Sequence, residues 1–201
     1  MNVLIVEDDP VISLGLEQKL TELGYGLAGR AGTGSQAVER ARELKPDIIL
    51  MDVMIPEFDG LEAARRISAA GLRVPVVAIT AHEDPDLVER AISVGVAAYL
   101  MKPVSRAQLR SALELARSRQ NEFETLRSEN ADLRQALATR KLVERAKGVL
   151  MDQGGLTEAD AFSAIQQQAR RTGRTMAEVA GEIVRSSEVL AQARRSRRGP
   201  P

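Results

Sequence analysis

Four short stretches of this sequence carry the residue types that chemistry on a phosphoryl group needs. Glu7-Asp8-Asp9 follows the aliphatic run Val3–Val6, Asp52 follows Ile48–Met51, Thr80 follows Val76–Ile79, and Lys102-Pro103 follows Ala97–Leu100. Several carboxylates gathered at neutral pH repel one another, and a hard divalent cation is the usual resolution. Mg²⁺ suits such a site because it takes few carboxylates and keeps waters and a phosphoryl oxygen. Lys102 and Thr80 supply donors for a phosphoryl group whose charge is spread over three equatorial oxygens, which leaves Asp52 as the attacking carboxylate. With no Cys and a single His, thiolate nucleophiles, zinc-thiolate centres and His-rich metal sites are excluded.

The elements around these residues explain how they meet. Aliphatic, β-branched runs at Val3–Val6, Leu27–Arg30, Ile48–Met51, Val76–Ile79 and Ala97–Leu100 predict strands, and helix-start signals follow them. Asp9-Pro10 and Asp84-Pro85 place a capping acid before Pro at the first helical position, while Asp59 with Glu62 and Ser105 with Gln108 have capping-box spacing. Strand–helix alternation at this pitch predicts an α/β domain, a doubly wound parallel sheet of five strands with helices on both faces. Ligands of such sheets sit outside the carboxyl ends of the strands, where all four stretches fall.

The last of these helices begins near Ala107 and meets no Gly or Pro before Gly148. Leu109, Ala116, Phe123, Asn130 and Leu137 are spaced by seven, with Ala112, Leu126 and Leu133 at the companion position. Two readings fit: a two-stranded coiled coil whose register Asn130 sets, or one long helix with its stripe on its own domain. Further on, apolar positions at Leu142, Val143, Ala146, Val149 and Leu150, then Ala161, Phe162, Ile165 and Ala169, then Val179, Ala180, Ile183 and Val184 predict three short helices sharing one core. Gly154-Gly155 and Gly173 break them, Thr157 and Thr175 restart them, and Ala146 and Gly148 allow close helix packing. Residues 191–201 predict a disordered basic tail.

Charge divides the chain. Residues 1–117 carry 13 Lys/Arg against 17 Asp/Glu, and residues 118–201 carry 15 against 11, pointing to cation chemistry in the first part and a polyanion partner for the second. Aromatics make up only 2%, so a nucleic-acid surface acts through charge and hydrogen bonds more than stacking. No apolar run has membrane length and no basic segment precedes an apolar one at the start, so the expected location is cytoplasmic, with no membrane partner.

The order Glu7-Asp8, Asp52 within Met51-Asp52-Val53-Met54-Ile55-Pro56, Thr80-Ala81, Tyr99 and Lys102-Pro103 resembles the receiver domain of two-component response regulators over residues 1–118. The resemblance implies a flavodoxin-like fold, phosphorylation of Asp52 by a sensor histidine kinase, and Mg²⁺ held by Glu7, Asp8, Asp52 and the Met54 carbonyl. It also implies that Lys102 pairs with the phosphoryl group, that Thr80 and Tyr99 act as switch residues, and that Pro103 follows a cis peptide bond. Ile55 stands where Met is common in such domains. Phosphatases of the haloacid dehalogenase type share a strand-end Asp nucleophile, but their pattern has a second Asp two residues on, where this chain has Met54. Lacking that general acid, the chain is expected not to turn over substrate and to transfer phosphate only to its own Asp52.

The stretch Arg140-Lys141-Leu142-Val143-Glu144-Arg145-Ala146-Lys147-Gly148, with Leu156-Thr157-Glu158-Ala159-Asp160-Ala161-Phe162, Ala169-Arg170-Arg171 and Met176-Ala177-Glu178, resembles the ANTAR domain over residues 125–186. A helical or coiled-coil linker over residues 107–139 overlaps both parts. What this resemblance implies is binding of structured RNA stem-loops in transcription antitermination, by a homodimer formed through the linker helix. Arg140, Lys141, Arg145, Lys147 and Arg170 are the candidate phosphate contacts, on helices that also carry compensating acids. Two rivals stand beside this: a DNA-binding response regulator, opposed by the lack of a recognition helix rich in Asn, Gln and Arg, and a receiver adaptor with a protein-interaction module.

Overall fold

A computed structural model describes residues 1–82 and 84–197, residues 190–197 as backbone. The chain forms two compact units, residues 1–125 and 126–201, and one helix runs through the boundary.

In the first unit, strands β1 (Asn2–Val6), β2 (Gly26–Ala31), β3 (Ile48–Asp52), β4 (Val76–Thr80) and β5 (Ala98–Met101) pair in parallel in the order β2-β1-β3-β4-β5. Side chains alternate faces along each strand, and here both faces are apolar because both are covered. Val3, Ile5, Ile48, Leu50, Val77 and Ile79 pack against Leu16 and Leu20 of α1 (Pro10–Glu22) and Leu109 and Leu113 of α5 (Arg106–Gly154). Leu4, Val6, Ile49 and Met51 pack on the other face against Ala37 and Ala41 of α2 (Gly34–Leu44) and Ala63 and Ile67 of α3 (Gly60–Ala69), while Ala78 and Val53 meet Ala91 of α4 (Pro85–Val94).

The caps follow the sequence with one variation. Asp9, Asp59 and Asp84 cap α1, α3 and α4, and Ser105 and Gln108 exchange hydrogen bonds reciprocally at the start of α5. Glu62 accepts no bond from Asp59, because Arg65 and Arg66 take its carboxylate and hold it well below the usual range, at about 2.

The heptad stripe divides. Leu109, Ala112 and Ala116 are buried under the sheet, whereas Phe123, Leu126, Leu133 and Leu137 are 55–65% exposed. The own-domain reading describes the start of α5, and the rest of its stripe is bare in the single chain.

The second unit differs from three short helices in its ends. Its first helix is the final stretch of the 49-residue α5, which passes through Gly148; α6 (Glu158–Thr172) and α7 (Met176–Arg197) complete it. α7 runs beyond residue 191, where the sequence places the start of a disordered tail, because Ala191-Gln192-Ala193-Arg194-Arg195 are strong helix formers and no Gly or Pro intervenes. The last four tail residues, 198–201, lie outside the described residues.

The core joins Val143 and Ala146 of α5 to Ile165 and Ala169 of α6 and Val179, Ala180 and Val184 of α7. Phe162 stands outside it, 41% exposed, because the Ala161–Ile165–Ala169 stripe turns it away. Gly148 also departs from expectation: an added Cβ would meet nothing within 4 Å, so close packing rests on Ala146 alone.

Candidate functional site

The strand order reverses about β1, so a crevice opens at the carboxyl ends of β1 and β3. Pairing of Val6 with Met51 sets Glu7 level with Asp52, and pairing of Thr80 with Met101 sets Lys102 one residue beyond Thr80. Glu7, Asp8 and Asp52 each offer a carboxylate oxygen within 4.8 Å of the others, a donor set of the hard-oxygen kind that a divalent cation such as Mg²⁺ takes.

Lys102 closes the cluster. Its Nζ donates to Asp52 Oδ2 at 2.6 Å and Glu7 Oε2 at 2.7 Å, and both acids are almost fully buried. Burial raises the Glu7 carboxyl above its ordinary range against the opposing pull of Lys102. Burial alone lowers Lys102, but its hydrogen bonds to Asp52 and Glu7 outweigh that and leave it raised. Asp52 Oδ1 accepts from the Met54 backbone N–H at 3.0 Å, with the Met54 side chain turned to solvent. The Lys102–Pro103 peptide bond is cis.

Thr80 is fully buried, and its Oγ1 accepts from the His82 N–H at 3.2 Å; the Tyr99 hydroxyl donates to the His82 carbonyl at 3.3 Å. Both residues therefore hold the same peptide segment after β4. Sequence reasoning assigns His82 nothing, and no side-chain signal could reveal it, because the backbone does the binding. Gly60 is a second residue missed there. A Cβ on it would collide with the Asp52 carbonyl oxygen.

The basic residues of the second unit separate into two groups. Arg140, Lys141 and Arg170 are exposed and make no ion pair among the described residues, and Arg145 pairs with Glu188 across two exposed side chains. Lys147 is corrected: it is 7% exposed, and its Nζ donates to Glu158 of α6 at 2.6 Å and to both oxygens of Glu144 at 2.9 and 3.0 Å. It fastens α6 to α5 and is not free for a phosphate.

Comparison with known proteins agrees with the two units. Residues 3–114 match the response regulator receiver domain and residues 131–184 match the ANTAR domain. The chain is 48% identical over 182 residues to transcriptional regulatory protein PdtaR of Mycobacterium tuberculosis, covering 90% of this chain and 88% of that protein. It is 34% identical over 116 residues to response regulator GacA of Pseudomonas viridiflava, covering 57% of this chain and 54% of that protein. Among solved structures, the signal receiver domain of a modulated diguanylate cyclase from Desulfovibrio desulfuricans G20 superposes with a TM-score of 0.56 at 38% identity, over 60% of this chain and 95% of that one. The receiver domain of the putative response regulator NarL from Mycobacterium tuberculosis superposes with a TM-score of 0.55 at 29% identity, over 57% and 94%.

Proposed function

We infer the function from the family to which the chain belongs: it is a response regulator that joins a receiver domain to an ANTAR domain. In this reading Asp52 takes a phosphoryl group from a sensor histidine kinase, and the output unit then binds structured RNA to control transcription antitermination. The observation that carries it is the convergence of Asp52, Glu7, Asp8 and Lys102 in one crevice, on a domain whose last helix continues unbroken into the output unit.

An Asp52 carboxylate oxygen attacks phosphorus, the bond to the donor's leaving atom breaks, and an acyl phosphate forms. Glu7, Asp8, Asp52 and the Met54 carbonyl would hold Mg²⁺, which would neutralise charge on the phosphoryl group. Lys102, already within hydrogen-bond distance of Asp52, donates to a phosphoryl oxygen. A new anion beside Thr80 gives its hydroxyl a stronger acceptor, and rotation towards it releases the His82 N–H. Tyr99, bonded to the same residue, loses its anchor and turns inward, so that β5 and α5 feel the change.

The remaining apolar stripe of α5, Phe123, Leu126, Leu133 and Leu137 with Asn130 among them, is the proposed seam for a second copy. Arg140, Lys141, Arg145 and Arg170 carry the phosphate contacts.

Asp52→Asn tests the first step. It removes all hydroxylamine-labile phosphate formed from a kinase or a small acyl phosphate while the circular dichroism spectrum stays that of the wild type. Labile phosphate persisting on the variant sinks the assignment. For the output, the phosphorylated chain binds RNA stem-loops more tightly than duplex DNA of the same sequence, and equal binding overturns the RNA reading.

A further inference from the structure

Lys45 and Glu57 are the two non-glycine residues with positive φ among the described residues. Lys45 stops α2, where one left-handed residue is ordinary. Glu57 lies in the loop between β3 and α3 at φ 76°, a backbone state that strains any residue with a Cβ and that glycine takes freely. Its side chain offsets that cost. Glu57 Oε2 accepts from the Ser35 N–H of α2 at 3.1 Å, and Ser35, through its side chain and then its backbone, holds the carboxyl below its ordinary range.

The first turn of α2 has donors that no carbonyl of its own helix can reach, and an anion is favoured beside them. Thr33 Oγ1 accepts the Gln36 N–H at 3.3 Å, the Pro56 carbonyl accepts that of Gly34 at 3.3 Å, and Glu57 accepts that of Ser35. Two of these three acceptors come from the β3–α3 loop. Phe58 adds a further link, since a Cβ on Gly34 would run into its ring, over which the Arg66 guanidinium lies 4.0 Å from the centroid. The same turn also touches the acidic stretch after β1. Glu7 donates its N–H to the Ala31 carbonyl at 2.9 Å, and a Cβ on Gly32 would stand 3.9 Å from the Asp8 Cα.

We propose that Glu57 is a positioning residue for the metal site: by pinning its loop to the first turn of α2, it fixes the Met54 carbonyl relative to Glu7 and Asp8. The inference rests on the Mg²⁺ reading above and deepens it. Between Met54 and Glu57, Ile55 is buried in the core. Apolar burial has no direction, so it holds the loop down without fixing its rotation, and the Glu57 hydrogen bond supplies the direction. Mg²⁺ tolerates little departure from octahedral geometry, which makes that orientation count. Glycine at 57 would release the strain and the pin together, so stability and metal affinity should part company there.

The test follows the thermal midpoint of the receiver transition in the full chain, without a phosphodonor, as Mg²⁺ is raised; the rise in midpoint with concentration reports the affinity. In Glu57→Gly the midpoint without Mg²⁺ is expected to equal or exceed that of the wild type, because glycine adopts the left-handed backbone freely. Its Mg²⁺ affinity falls by roughly ten- to a hundredfold, the scale of losing a group that orients a metal ligand. Glu57→Gln keeps an acceptor oxygen for the Ser35 N–H and recovers most of the affinity, although it lacks the charge. The Mg²⁺ concentration that half-saturates phosphate uptake from a small acyl phosphate rises in Glu57→Gly by the same factor as the affinity falls.

Equal Mg²⁺ affinity in the wild type and Glu57→Gly overturns this inference and leaves the proposed function standing. A loss in Glu57→Gln as large as that in Glu57→Gly overturns it too, because the missing negative charge is then the cause. A wild-type chain whose midpoint Mg²⁺ does not move overturns the metal site and this inference with it. One that binds Mg²⁺ but forms no labile phosphate overturns the proposed phosphorylation, and the affinities of the two variants still decide this inference.

Discussion

Lys102 and Lys147 are both enclosed between two carboxylates, and their surroundings differ in the one respect that decides what each can do. The partners of Lys102 are themselves buried, with Glu7 1% and Asp52 6% exposed at the side chain, whereas those of Lys147, Glu144 and Glu158, are 56% and 70% exposed. Burial drives Glu7 above its ordinary range, while the hydrogen bond from Lys147 takes Glu158 below it. Two buried acids held by one cation are a strained balance that another cation or a phosphoryl group can reset. Two solvated acids holding one buried lysine are a fastening.

The pH signs differ accordingly. Both lysines lie above their ordinary value of 10.5, so their contribution is whole below it and lost as pH rises through the raised values. Glu158 is lowered, so its contribution is present above its ordinary value of 4.5 and lost as pH falls through the lowered one. Glu7 is raised, so the folded receiver takes up its proton before the unfolded chain does and gains stability as pH falls through the raised value.

The comparison breaks most visibly if both lysines are made Met. Lys102→Met leaves two buried carboxylates facing each other, and the receiver should lose roughly 3 kcal/mol at neutral pH. Lowering the pH or adding Mg²⁺ recovers part of that, since acid protonates Glu7, whose carboxyl burial already raises, and a cation offsets the negative charge of the site. Lys147→Met leaves its acids in water, so the output unit loses less, and neither acid nor Mg²⁺ restores it. Urea unfolding of each variant with and without Mg²⁺ decides the matter, and equal losses with equal rescue would remove the distinction.

That distinction was only half legible in the sequence. The receiver cluster could be read because parallel strands fix which residues arrive together: Asp52 and Thr80 end β3 and β4, Glu7 and Lys102 follow β1 and β5, and the register does the rest. Helices give weaker constraints. Lys147 has the same sequence appearance as Arg140 or Lys141, a basic residue on a helix, and only the docking of α6 brings Glu158 to it. Phe162 sits at helical spacing among core residues, yet the direction of its ring depends on which neighbours pack, and Ala161, Ile165 and Ala169 win that contact. The His82 backbone and the Gly60–Asp52 approach were hidden because main-chain groups carry no residue signature.

The salt dependence of RNA binding sharpens the same contrast at a smaller scale. Alanine at Arg140, Lys141 or Arg170 should each flatten log affinity against log salt by about 0.7 to 0.9 and weaken all stem-loops alike, because each removes one phosphate contact. Lys147→Ala should weaken binding through a loosened α6 while the slope stays that of the wild type. A flattened slope for Lys147→Ala in titrations from low to moderate salt would return it to the RNA contacts and undo its reassignment.

The smallest effect belongs to Gly148, one residue along from Lys147. In the sequence it reads as a glycine kept for close packing, but the space where its Cβ would go is open and the residue lies inside α5. Glycine in a helix interior costs about 0.5–1 kcal/mol relative to alanine, largely because the unfolded chain has more freedom to lose. Gly148→Ala should therefore stabilise the output unit by up to that amount and raise its thermal midpoint by a few degrees. Arg145 lies three residues earlier, on the same face of the helix. Unchanged RNA affinity is expected, because the phosphate contacts proposed here are side chains that an added methyl does not displace. Stabilisation with a clear loss of affinity would show instead that RNA approaches the α5 backbone at this point. Destabilisation would show that a neighbour fills the space when the protein is in solution.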